Sequence, residues 1–120
     1  MEIVDVRAIK KDELALKRQR YGRVLELVDA HFGTERASAD GRGFGSGSYN
    51  SFYIDLDNVA AQRSSIPKSN IEIELGMSRV TIDVRNEDYL QEAEGFGRAY
   101  EVRFPGEKVT VRHNFPPLKF

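Results

Sequence analysis

The amino-acid sequence predicts an α+β domain: an antiparallel sheet of five to six strands, one long amphipathic helix packed on one face, and a short second helix. Three observations carry this. Leu14, Tyr21, Leu25, Val28 and Phe32 recur at helical spacings of three, four and seven, with Val24 on the edge of that stripe. Ile71, Ile73 and Leu75, then Val80, Ile82 and Val84, alternate with polar residues on either side of Gly76-Met77-Ser78, the pattern of a hairpin. The chain has 120 residues, 40% hydrophobic and 31% charged, which suits one globular unit with a modest core.

Taken in order, residues 2–9 alternate well enough from Val4 to Ala8 to read as a strand. Asp12 is placed to cap the long helix and Gly33 to end it as a left-handed cap. Gly22, in mid-helix, suggests a close approach to the backbone. Residues 34–51 lose all periodicity. Glycine at every second position from 41 to 47 predicts a flexible loop, and loops this long are often functional. Phe52, Ile54 and Leu56 then mark a strand, and residues 58–69 are polar. After the hairpin, Asn86 or Asp88 caps a short helix that Gly95 and Gly97 are expected to break. Tyr100, Val102 and Phe104, a Pro105-Gly106 turn, and Val109 and Val111 read as a second hairpin. Residues 114–120 form an apolar tail around Pro116-Pro117. The whole is expected to be a single domain, 1–120.

Composition excludes several classes. There is no cysteine, so disulfides and thiolate metal sites are ruled out. No apolar run is long enough to span a bilayer, and the acidic start is not a signal peptide. The expectation is a cytoplasmic protein with no membrane partner. Net charge is −1, so no overall attraction to nucleic acid arises. The distribution is uneven: seven bases lie between Arg7 and Arg23, while Glu87, Asp88, Glu92 and Glu94 form an acidic block. Separate basic and acidic faces can orient a partner or a second copy of the chain.

Patterns that carry chemistry are few. His31 and His113 have no metal-spaced partner, and the loop serines lack a nucleophile-elbow context. Arg42-Gly43-Phe44-Gly45 resembles the opening of the glycine-aromatic motif of RNA-recognition domains, but Ser46 and Gly47 replace the aromatic and valine that follow there. The element order helix, strands, helix, strand loosely resembles the core of PD-(D/E)xK nucleases. That resemblance implies Glu74 as first acid and Asp83-Val84-Arg85 in the second motif, with arginine where the family has lysine. Arginine stays protonated and cannot exchange a proton at neutral pH.

What remains is binding. Arg18, Arg20 and Arg23 on the helix, with Arg42, Phe44 and Tyr49 in the loop, interleave cations with aromatics, a composition typical of interface anchors. The first expectation is therefore a non-enzymatic binding or regulatory protein acting through protein contact or self-assembly. The alternatives are capture of a nucleotide-like anion by the same residues and a metal-dependent nuclease. No cofactor, catalytic residue or metal ligand is assigned.

Overall fold

The computed structural model describes residues 1–39, 49–56 and 70–116. Two helices and five strands follow in the order α1 (Val6–Phe32), β1 (Ala37–Ala39), β2 (Ser51–Ile54), β3 (Ile71–Gly76), β4 (Arg79–Val84), α2 (Leu90–Arg103) and β5 (Lys108–Arg112). Short 3₁₀ turns at Thr34–Arg36 and Glu87–Tyr89 join α1 to β1 and lead into α2. The fold is α+β, and the five strands form one sheet in chain order. The first three pairings are antiparallel, but β5 runs parallel to β4, so the sheet is mixed and not purely antiparallel.

That parallel pair corrects the expected second hairpin. Tyr100, Val102 and Phe104 do not form a strand, because α2 continues to Arg103. Gly95 and Gly97 lie within α2 without breaking it. Gly97 serves packing instead: a Cβ there would sit 3.4 Å from Val109 and 3.6 Å from Ile82 and Val111. Pro105-Gly106 ends the helix, with Gly106 at φ 93°, and the chain returns as the crossover strand a parallel pair requires. Glu101 and Arg103, between those residues, accordingly belong to α2 and not to a strand.

The amino terminus is the other correction. Residues 2–9 are not a strand, since α1 begins at Val6. Its cap is Asp5 rather than Asp12: the Asp5 carboxylate accepts a hydrogen bond from the Arg7 N–H at 2.9 Å. Arg7-Ala8-Ile9-Lys10-Lys11 is mostly good helix-forming sequence, and the brief alternation at its start meets no strand to pair with among the described residues. Among the described residues, a side chain at Gly22 would meet nothing within 4 Å of its Cβ, so none of them approaches closely there. Gly33 does end α1, at φ 97° and ψ 140°, a positive φ with an extended ψ in place of the left-handed cap.

One face of the sheet forms the core. Phe52, Ile73 and Ile82 stand side by side across β2, β3 and β4, and Ile54, Ile71 and Val84 make the next row. These side chains are buried together with Tyr21, Val24, Val28 and Phe32 of α1 and Ala93, Phe96 and Tyr100 of α2. Val24, expected at the edge, is fully buried, whereas Leu14 is 39% exposed and outside the core. Each full burial of a Val, Ile or Phe side chain contributes roughly 1.5–3 kcal/mol, so this layer dominates stability. Within the expected loop at 34–51, Ala37–Ala39 is the edge strand β1; residues 40–48 lie outside the described residues, as do 117–120 of the tail.

Candidate functional site

Helix α1 is longer than the sheet it packs on. Its 27 residues span about 40 Å, against about 20 Å for the six-residue strands β3 and β4. Residues 10–19 are all exposed, and burial begins at Arg20 and Tyr21. The first half of α1 therefore projects past the sheet as an arm, and the molecule measures 70 × 32 × 23 Å. Its radius of gyration, 16.4 Å, exceeds the roughly 14 Å of a compact chain of this length.

The arm leaves the body where α1 is pinned. Arg20 donates to the Gly76 carbonyl at 2.7 Å and to the Arg79 carbonyl at 3.2 Å, and pairs with Glu107. The Tyr100 hydroxyl donates to the same Glu107 carboxylate at 2.8 Å. This half-buried network ties α1 to the β3–β4 turn and to the start of β5. Burial, then the bond to Glu107, push the Tyr100 pKa above its ordinary value. Burial opposes the Arg20 charge, but Glu107 and Tyr100 outweigh it, and its pKa also rises. One residue on, the Tyr21 ring stacks on Phe52 at 4.3 Å and its hydroxyl donates to the Ser51 carbonyl at 2.6 Å.

Beside this anchor lies a groove of about 600 Å³. Leu16 of the arm, Tyr49, Leu75 and Met77 of the β3–β4 turn supply its apolar walls, and Glu13, Lys17 and Arg20 its charged rim. Leu16 is 66% and Met77 93% exposed, so two large apolar side chains of this lining stand largely in water. Tyr49 is held from both sides: its ring meets Tyr21 edge-on at 5.6 Å, and the Arg18 guanidinium lies 5.0 Å above it. Its backbone sits at φ 54°, a left-handed conformation uncommon for a side chain of this size. Packing against Tyr21 and Arg18 offsets that strain.

Four of the six sequence-predicted site residues can thus be placed. Arg18 and Tyr49 meet at the groove, and Arg20 closes its inner end. Arg23 is exposed one turn beyond Arg20, outside the groove lining. Arg42 and Phe44 lie outside the described residues. Leu16 and Met77, which define the groove, escape sequence reasoning: they are far apart in the chain, and each alone is an unremarkable surface residue.

The open face of the sheet presents acids matched to bases. Glu72 and Asp83 stand opposite each other across β3 and β4. Arg85 pairs with Glu72, and Arg112 binds Asp83 through two contacts of 2.7 and 3.1 Å. Asp83 raises the Arg112 pKa through that bond. Glu74 stands opposite Thr81. Among the described residues no group of three or more His, Asp or Glu side chains is placed to hold a metal ion. Nor, among them, is any helix long and apolar enough to cross a membrane. Compared with known protein families, with characterised proteins and with solved structures, the chain finds no match.

Proposed function

We propose that this chain is a non-enzymatic binding protein that docks a protein partner on the α1 arm and the groove at its root. The observation that carries this reading is that Leu16 and Met77, both exposed, line one groove with a basic helix on its rim. Scattered surface apolar residues need no explanation, but two that line one groove beside a clamped tyrosine and an arginine have the make-up of an interface core. The fitting occupant is an apolar segment flanked by carboxylates, since the arm carries five bases and two acids over residues 6–19. The open sheet face offers less: Glu72 and Asp83 there are already paired with Arg85 and Arg112.

Affinity capture from the native host with the wild-type chain, Leu16→Glu and Met77→Glu tests the reading. Both positions are exposed, so neither change should disturb folding. Wild type should retain a defined protein that both variants lose by tenfold or more, with nuclease treatment making no difference. Equal capture by all three, or recovery of nucleic acid alone, would refute it.

A further inference from the structure

Resting on that reading of the arm and groove, we infer that the docked partner is a second copy of this chain, laid antiparallel alongside the first. In this pair each basic arm lies against the acidic surface at the start of the other copy's α2.

The argument begins with where the two charges sit. Arg20 fixes the root of the arm at the Gly76 and Arg79 end of the sheet. The acidic block begins after β4 has run to its other end at Val84. Glu87, Asp88, Glu92 and Glu94 are all exposed there, and none forms an ion pair among the described residues. Lys10, Lys11 and Lys17 on the arm are equally exposed and equally without an acidic partner among those residues. The length of β4, about 20 Å, separates the arm root from the acids, well beyond the roughly 8–10 Å over which exposed charges interact in physiological salt. One molecule therefore cannot neutralise its own two ends.

Two molecules can. Turning the second copy end for end brings each arm beside the other's carboxylates, and both contacts form at once. The arrangement is an isologous two-fold pair, in which the same surfaces are used by both copies and the assembly closes at two. Tyr89 and Leu90 are half-buried beside the acids and give the apolar side of the arm something to cover.

The segment after β5 leads away from the groove. β5 runs from Lys108, beside Arg79, to Arg112, beside Asp83, and His113 and Asn114 lie beside Val84 and Arg85, at the end of the sheet remote from the groove.

Sedimentation equilibrium on the whole chain tests the pair. Wild type should dimerise at low salt and weaken at least tenfold between about 0.05 and 0.5 M salt, as screening removes the attraction. Lys10→Glu with Lys11→Glu should be monomeric, and so should Glu92→Lys with Glu94→Lys. An equimolar mixture of these two double variants should restore a dimer, because in one contact the acidic arm of the first meets the basic α2 of the second, and in the other the native basic arm meets the native acidic α2. A mixture that stays monomeric, or a wild type that grows into longer chains with concentration, would overturn the antiparallel pair. A monomeric wild type whose capture of a different protein is lost in Leu16→Glu defeats this inference alone and leaves the groove as a docking site. A monomeric wild type with capture unaffected by Leu16→Glu defeats both.

Discussion

The Arg20 guanidinium is held by two main-chain carbonyls and a carboxylate, three acceptors drawn from two separate connections of the fold. Removing it leaves Glu107 with only the Tyr100 hydroxyl and the two carbonyls short of a donor. Arg20→Ala is expected to cost about 2 kcal/mol in urea denaturation, the range for hydrogen bonds to charged groups. Arg23→Ala, which removes an exposed side chain outside this network, should change stability by less than about 0.5 kcal/mol. The pair separates an anchoring arginine from a surface one. Tyr100 reports on the same network through pH. Its pKa is raised in the folded state, so the native protein keeps a proton that the unfolded chain loses above pH ~10, the ordinary tyrosine value. The native state then binds more protons than the unfolded one, and stability must fall as pH rises beyond that point. Alkaline denaturation should show this loss in the wild type and a shallower slope in Tyr100→Phe.

Helix α1 divides at Arg20 into two elements with different physics. Residues 21–32 are held by core contacts of Tyr21, Val24, Val28 and Phe32. Among the described residues, 6–17 are held mainly by their own backbone bonds and the Asp5 cap, Arg18 over Tyr49 being the first ring contact with the body, and an isolated helix of that length is marginal in water. Amide hydrogen exchange should therefore be fast along the arm, slow from Val24 to Val28, and slowest in the β3–β4 hairpin at Ile73 and residues 80–84. Uniform protection along the helix in a dilute monomer would contradict the division. The hairpin is legible because both strands alternate strictly around a short turn, and pairing follows from that pattern. The second hairpin misleads for a physical reason. Tyr100 and Phe104 are four apart, which fits either a strand face or a helix face, and the core contacts of Tyr100 with Phe96 and Phe104 select the helix. The strand expected at residues 2–9 fails in the same way, because three alternating apolar residues are too few to outweigh a capped helix start.

At the scale of the whole molecule, the sheet face opposite the core is matched in charge, while the two ends are not. The uneven charge is readable as sequence blocks, and so is the concentration of arginine near Tyr21. The groove itself is not, because its walls come together only when α1 overshoots the sheet and puts Leu16 and Met77 into one lining. Sequence periodicity shows a long helix but cannot show where the sheet beneath it stops. That overshoot is also why Leu14, on the predicted buried stripe, remains exposed. The chain has no cysteine, so a single Ala15→Cys carrying a nitroxide label places one paramagnetic probe on the arm and leaves its lysines in place. Mixing this copy, at natural nitrogen abundance, with ¹⁵N-labelled wild type makes any broadening report a contact between molecules. The account predicts broadening centred on the amides of residues 87–94, relieved by high salt. Broadening that spares those residues, or none at concentrations where the protein sediments as a dimer, would contradict it.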